Sequence, residues 1–165
     1  MTGEPEALLL QPTAQIPNHP DLPVLLYRRA LPAFAAEIER RFAGNGWQGH
    51  WRDGIYDFDH YHSRGHEALG IARGAAHVLL GGPGGREVSL AAGDAVVLPA
   101  GTGHRRLDAS PDLLVVGAYP PGQTGDICRE PPSRKMRERI AALPLPASDP
   151  VTGPEGALSR LWRRL

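Results

Sequence analysis

Three histidines and one glutamate lie at spacings that suit a shared metal ion. They are His60, His62, Glu67 and His104. On an extended strand, residues i and i+2 point to the same face with Cα atoms about 6.6 Å apart, so the His60 and His62 imidazoles can converge on one ion. Glu67 begins the next apolar run, and His104 follows a turn rich in proline and glycine. Three imidazoles and one carboxylate suit Fe, Mn, Ni, Zn or Cu, and octahedral ions keep two positions open.

The segments around these residues match a pair of known motifs. The first runs from Gly54 to Gly74 with the spacing G(X)5HXH(X)4E(X)6G. The second runs from Gly93 to Asp108 with the spacing G(X)5PXG(X)2H(X)3N, with aspartate replacing the final asparagine. The chain therefore resembles the cupins, and flanking segments such as 17–20 resemble the bacterial YjlB-type cupins. The resemblance implies an all-β double-stranded β-helix (a jelly-roll barrel) that holds a metal through the motif histidines and glutamate.

The chain divides into three expected parts around these motifs. Residues 1–46 form a proline-rich arm followed by one helix. Residues 47–120 form the barrel core, because short apolar runs alternate with turn signals about every ten residues. Residues 121–165 form a short helix and an extended tail packed on the barrel. The first 26 residues of the arm are expected to be disordered, to lie along the barrel, or to reach a partner's sheet edge.

Apolar periodicity places the helices and the strand that carries the first two histidines. Helices are expected at 31–42, within 133–142, and as a last turn or two at 158–165. The first of these would bury Phe34, Ile38 and Phe42 on one face. Residues 51–62 are expected to form one strand, and further strands are expected at 24–27, 68–73, 75–80, 87–90, 95–98 and 113–119.

A pocket above the metal follows if strand alternation continues through both motifs. Tyr56 and Phe58 would then share the inward face with the first two histidines, although both also fit a role as core aromatics. Leu69 and Ile71 follow the glutamate on its face and would supply apolar walls. Arg106 has the same parity as the third histidine, so it either places a cation near an anionic substrate or lies at the surface.

Three other residues bear on the chemistry. Alternation directs His66 outward when Glu67 points inward, which favours a position at the surface or beside the ligands over metal ligation. Glu67 is also the one candidate for a catalytic base. Cys128 is the only cysteine, so no internal disulfide can form and a reducing cytoplasm is the expected compartment.

Charge and hydropathy exclude several partners. Acidic and basic residues number 18 each, which gives no electrostatic reason to bind nucleic acid or an anionic membrane. No apolar run approaches the ~20 residues that span a bilayer. The expected ligand is therefore a small molecule. Cupin barrels commonly pair through sheet edges, so the resemblance, together with the long arm, predicts a homodimer.

Three functions remain open on the sequence alone. The first is a metal-dependent enzyme, such as a dioxygenase or an isomerase, in which the metal polarises the substrate or activates dioxygen. The second is a small-molecule-binding or sensor protein without catalysis. The third is a barrel in which the metal is only structural.

Overall fold

Residues 3–163 are described by the structure, a computed structural model. Over this range the chain forms nine strands and three helices. The strands are β1 (Glu6–Leu8), β2 (Val24–Tyr27), β3 (Gln48–Asp53), β4 (Glu67–Arg73), β5 (Ala75–Leu80), β6 (Arg86–Ala91), β7 (Ala95–Leu98), β8 (His104–Ala109) and β9 (Leu114–Tyr119). The helices are α1 (Ala35–Gly44), α2 (Arg134–Ala142) and α3 (Ala157–Leu161).

The strands form two antiparallel sheets. The larger has the order β1-β2-β7-β4-β9-β3, and the smaller has the order β6-β5-β8. Most neighbours in the two sheets are not consecutive in sequence, as in β4 between β7 and β9, and from β4 to β9 the chain passes back and forth between the sheets. This crossing pattern is typical of a jelly roll. The expected all-β double-stranded β-helix is therefore confirmed.

Apolar side chains fill both faces of the larger sheet. One cluster lies on the face toward the smaller sheet and includes Leu69 and Val78. The other lies on the opposite face, where Ile38 of α1 and Trp162 near the C-terminus cover the strands. Gly70 allows α1 to pack closely, because a Cβ there would lie 2.7 Å from Ile38 Cγ2. The inner strands of the larger sheet, β2, β4, β7 and β9, are thus buried on both faces.

The first helix differs from its predicted position. It begins at Ala35 rather than 31, because the backbone N–H groups of Ala30 and Leu31 donate to Gly93 O, at 2.9 and 3.0 Å, and tie this segment to a barrel turn. Phe34 precedes the helix in extended conformation and is 70% exposed, so its predicted burial is wrong. The predicted burial of Ile38 is confirmed.

The other segments show where periodicity succeeded and where it failed. The predicted strand at 51–62 is wrong, because β3 ends at Asp53 and the chain is irregular until the isolated pairing of His60 with His104. Strand β8 has no counterpart among the predicted elements. The helix predicted within 133–142 is confirmed as α2. The last helix spans Ala157–Leu161, and residues 164 and 165 of its predicted range lie outside the described residues.

The N-terminal arm lies on its own barrel. β1 pairs with β2, and β2 pairs with β7, so the arm extends the larger sheet. None of the helices within residues 3–163 is long and apolar enough to cross a bilayer.

Candidate metal centre

The three motif histidines and the motif glutamate meet at one buried point between the sheets. One ring nitrogen from each of His60, His62 and His104 lies within 4.8 Å of the other two. Glu67 Oε1 lies 3.1 Å from His62 Nε2 and 3.6 Å from His104 Nε2. All four side chains are buried. Residues from both motifs, 44 positions apart at their extremes, therefore form one cluster.

Backbone pairing between the two motifs brings the histidines together. His104 N–H donates to His60 O at 2.9 Å, and His60 N–H donates to His104 O at 3.3 Å. The Asn18 side chain fixes the turn that precedes His104. Its Oδ1 accepts from Gly103 N–H at 3.0 Å, and its Nδ2 donates to Gly81 O at 3.1 Å. The Asn18 side chain thus links the residue directly before His104 to Gly81 and fixes the position from which His104 starts.

A backbone carbonyl holds the Nδ1 atom of each imidazole. A carbonyl oxygen can only accept, so each Nδ1 carries a hydrogen, and neutral His60 and His104 rings keep an unprotonated Nε2. The contacts of His60 and His104 are 3.0 and 2.9 Å long. The accepting carbonyls, for His60, His62 and His104 in that order, belong to Phe58, Asp126 and Thr102. Metal-ligating histidines are commonly oriented in this way.

Burial and neighbouring charge give the three imidazoles different protonation preferences. Burial, reinforced by the nearby histidines, lowers the pKa of His104 to about 3. Burial also lowers the pKa of His60. Burial acts the same way on His62, but the charge and hydrogen bond of Glu67 overcome it and raise the pKa of His62 to about 9. For Glu67, burial favours the neutral acid, yet the charge and hydrogen bond of His62 bring its pKa below the ordinary value.

These residues fit a divalent transition metal ion. Two of the imidazoles are neutral with Nε2 lone pairs. The third, His62, is hydrogen-bonded through Nε2 to Glu67, and a cation can take the place of the proton between them. A set of three nitrogens and one oxygen is borderline in softness, which suits Fe, Mn, Ni or Zn better than Ca. His60, His62, Glu67 and His104 would hold the ion.

Two aromatic residues that sequence reasoning missed orient the glutamate. Tyr119 Oη donates to Glu67 Oε2 at 2.9 Å, and Trp51 Nε1 donates to Tyr119 Oη at 2.9 Å. Two glycines leave room for the pair. A Cβ at Gly117 would lie 2.0 Å from the Trp51 ring, and a Cβ at Gly125 would lie 2.3 Å from Tyr119 Oη. The chain therefore directs one glutamate oxygen away from the histidines and leaves Oε1 facing them.

A cavity of about 440 Å³ opens directly above the cluster. All four predicted ligands line it, as do Tyr56, Leu69 and Arg106 from the predicted pocket. Trp51 and Ile127 also line it, although neither was among the predicted pocket residues. A cavity of this size admits a small organic molecule.

Two predicted pocket residues lie elsewhere. Phe58 stacks against Tyr56 with ring centroids 4.9 Å apart, and Arg129 covers Phe58 at 3.8 Å, so Phe58 supports the rim without being among the lining residues. Ile71 is fully buried in the apolar cluster between the sheets. It is two residues further along β4 than Leu69, deeper in the barrel, so strand parity placed it on the correct face but at the wrong depth.

Alternation favoured two positions for His66, at the surface or beside the ligands, and the surface position is wrong. The His66 side chain is fully buried, its Nδ1 accepts from Ala100 N–H at 2.9 Å, and its ring packs edge-on against Trp162 at 5.0 Å between centroids. The residue does point away from Glu67. It is nevertheless inside the protein, because the C-terminal segment covers that face of the sheet.

A second carboxylate, that of Asp126, holds the segment of the first motif that follows His62. Asp126 accepts from Ser63 N–H at 2.7 Å and from Arg64 N–H at 3.1 Å, while its backbone carbonyl holds His62 Nδ1. Cys128 donates to the same carboxylate at 3.1 Å, and burial and Asp126 raise the pKa of its thiol to about 11. Cys128 is thus a protonated hydrogen-bond donor. No local sequence signal links residue 126 to the motif 64 positions earlier.

Comparison with known proteins identifies the family. YjlB of Bacillus subtilis (strain 168), described as an uncharacterized protein, is 37% identical over 164 residues, covering 98% of this chain and 99% of the relative. The chain belongs to the YjlB family. The YjlB-type resemblance carried by the two motifs and their flanks is therefore confirmed. A scan against protein-family models finds no match.

Solved structures give weaker likenesses to this YjlB-family chain. An acireductone dioxygenase from Bacillus anthracis with cadmium in its active centre is 18% identical, with 55% of this chain and 61% of that chain covered and a TM-score of 0.39. A double-stranded β-helix protein from Klebsiella pneumoniae is also 18% identical, with coverages of 79% and 82% and a TM-score of 0.39. A DUF861 protein from Thermotoga maritima is 22% identical, with coverages of 51% and 81% and a TM-score of 0.32.

Proposed function

We propose that this YjlB-family cupin binds one divalent transition metal through His60, His62, Glu67 and His104 and uses it to bind and transform a small molecule. The observation that carries the proposal is the orientation of the three imidazoles. Each Nδ1 is engaged by a backbone carbonyl, so the opposite ring edges and Glu67 are available at one buried point. Such an arrangement is suited to an ion.

The cavity favours a reactive or ligand-binding metal over a structural one. A structural site is closed by protein ligands on every side, whereas a catalytic site keeps positions open. Here all four ligand residues line a cavity of about 440 Å³ that also contains the exposed side chain of Tyr56. A small molecule that enters the cavity would meet the metal directly.

A metal-dependent oxidoreductase of the dioxygenase type, or an isomerase, is the proposed class of reaction. When bound, the ion would supply a Lewis acid, and iron would also support dioxygen chemistry. The protein residues orient the substrate and exclude water, with Leu69 on the apolar wall. Glu67 is the proposed base, because its Oε1 faces both His62 and His104 at the floor of the cavity.

A binding or sensor role without catalysis is the second candidate, and one observation favours it. Both oxygens of Glu67 are engaged, by Tyr119 and by His62. The other carboxylate among the described lining residues, Asp53, accepts from Gly54 N–H at 2.7 Å. A site whose buried carboxylate is engaged at both oxygens suits recognition better than proton transfer.

Metal analysis of protein purified without a metal-affinity column tests the proposal. The wild type should carry close to one divalent transition ion per chain, and His104→Ala should carry almost none. His77→Ala is the matched control, because His77 is 42% exposed in its side chain and lies outside the cluster. A wild type that takes up no ion when Fe, Mn, Ni and Zn are each supplied would disprove the metal centre.

Mass spectrometry then separates the enzyme from the binding protein. Small molecules released from the denatured wild type would be identified and returned to metal-loaded protein. Consumption that is lost in His60→Ala supports catalysis. Retention of the compound without chemical change supports the binding role.

We also propose that the protein is a homodimer in a reducing compartment. The arm pairs with β7 of its own chain, so a second copy would meet the free edges of the larger sheet, at β1 or β3. A monomeric mass in solution would contradict the dimer.

A further inference from the structure

We propose that the ligand of this centre is a small organic anion with an apolar portion, and that Arg106 is the residue that recognises its charge. The inference rests on the proposed function, because it places the anion between the metal and this arginine. It assigns to the cavity a chemical class of ligand and a residue that selects it.

Arg106 is placed to reach a ligand on the metal. It lies two residues after His104 on β8, where Cα atoms two apart are about 6.6 Å apart and side chains share a face. Both residues line the cavity. The backbone N–H of Arg106 donates to Tyr56 O at 2.8 Å, which fixes the strand against the cavity rim. A ligand that spans a few ångströms can therefore contact both the ion and the guanidinium.

The guanidinium of Arg106 is available for an incoming anion. Its ion pair with Asp57 is 3.7 Å long, beyond hydrogen-bond distance, and the Asp57 side chain is 70% exposed. Arg52, the other arginine among the described lining residues, is different. Its Nε and Nη2 donate to both oxygens of Glu39 at 2.9 and 2.7 Å. A bidentate pair of that kind holds the guanidinium in place and offsets its charge with a carboxylate.

The net charge of the cavity favours an anion once a divalent ion is bound. Two arginines and two carboxylates line the cavity: Arg52, Arg106, Asp53 and Glu67. Glu39 and Asp57, which pair with the two arginines, lie outside the lining, so the deciding charge is at the floor of the cavity. There the two positive charges of the ion exceed the single negative charge of Glu67 when the imidazoles are neutral. A cavity with low-dielectric walls strengthens the attraction of that charge for an anionic ligand.

Exposed apolar side chains at the same mouth indicate that the anion carries carbon. Tyr56 is 50% exposed and Ile127 is 47% exposed, and both line the cavity. Leu69 continues the apolar surface toward the floor. An inorganic anion would leave these side chains in water, whereas an organic acid would cover them.

Calorimetry on the Ni²⁺-loaded full chain tests the inference with two probes that differ in charge. The probes are 2-oxohexanoate, a chelating anion with an apolar tail, and its neutral methyl ester. The acid should bind at least about tenfold more tightly than the ester. Arg106→Gln should weaken acid binding about tenfold, in line with the loss of a charged hydrogen bond, and should leave ester binding unchanged.

Arg105→Gln is the matched control. Arg105 is the next residue on β8, with the same 38% side-chain exposure and an ion pair of the same 3.7 Å length, to Asp59, but it is not among the lining residues. Its acid affinity should stay within about twofold of the wild type. Equal effects of the two substitutions, equal affinity for acid and ester, or no binding of either probe would each overturn the inference. Nickel content is measured first in every protein, so failure of the metal centre is distinguished from failure of the anion proposal.

Discussion

Glu67 and Asp149 are both almost fully buried carboxylates, and their surroundings differ in kind. Glu67 is 2% exposed and Asp149 is 0% exposed. Backbone N–H groups of Val151, Thr152 and Leu158 donate to Asp149 at 2.8, 3.1 and 3.1 Å, and Tyr27 Oη adds a fourth donor.

The partners of Glu67 are side chains, and most of them can change partner. Its neighbours are two imidazole nitrogens and the hydroxyl of Tyr119, beneath an open cavity. A backbone amide has no alternative role, whereas an imidazole can turn from hydrogen bonding a carboxylate to binding an ion. A buried carboxylate held by amides therefore indicates a structural cluster, and one held by imidazoles indicates a site.

The largest expected effect is that of removing the Asp149 carboxylate on the free energy of unfolding. Asp149→Ala leaves three buried donors and the partly buried Thr152 N–H without this acceptor, so the free energy of unfolding should fall by about 4 kcal/mol. Urea unfolding measures the loss, and nickel affinity of the folded fraction should stay within about twofold. Asp108→Ala, at an exposed aspartate, should cost less than about 0.5 kcal/mol. A loss below about 1 kcal/mol for Asp149→Ala would remove the structural role.

Metal binding at the Glu67 cluster should change the free energy of unfolding by a similar amount. At a free Ni²⁺ concentration about 1,000 times Kd, the ion should stabilise the wild type by about 4 kcal/mol, because it binds the folded state. Thermal unfolding with and without a chelator measures the shift. His104→Ala should show almost none of it. A wild type with the same Tm in both conditions would refute the metal centre.

Glu67→Gln should separate metal binding from stability. Loss of the ligand charge should weaken nickel affinity by at least about 100-fold, or ~2.7 kcal/mol. Without metal, the free energy of unfolding should fall by only about 1 kcal/mol, because water from the cavity can replace the lost contact. The two quantities come from metal titration and urea unfolding. A metal-free loss as large as that of Asp149→Ala would erase the difference between the two carboxylates.

The smallest expected effect comes from a matched pair of tyrosines. Tyr119→Phe should weaken nickel affinity about tenfold, because Glu67 loses the hydroxyl that orients it. Tyr27→Phe makes the same chemical change beside Asp149 and should lower the free energy of unfolding by about 1 kcal/mol with unchanged nickel affinity. Competition with a fluorescent chelator and urea unfolding report the two effects. Equal nickel affinity in both variants would show that Tyr119 does not position the ligand.

The residue types and spacing were sufficient to predict the cluster and several strands. The motif spacing identified the four side chains that meet. The predicted first and last residues of β2, β5 and β7 agree with those in the structure. These features depend on local patterns: alternation within a strand, and turn residues such as Gly93 that separate strands.

The remaining features depend on contacts between distant segments. Tyr119 meets Glu67 across 52 positions, and the carbonyl of Asp126 holds His62 across 64. Every residue has a carbonyl, so composition cannot mark the ones that orient imidazoles. The burial of His66 depends on Trp162, whose packing no periodicity near residue 66 reveals.

The carbonyl contacts of the three imidazoles have a consequence for the order in which the protein folds and binds metal. They are made by the polypeptide itself, so the barrel can reach its final shape before any ion arrives. Folding and metal binding would then be successive events rather than one. Under the proposed function, the ion that a molecule carries would then be set by metal supply and exchange after synthesis, without unfolding of the barrel.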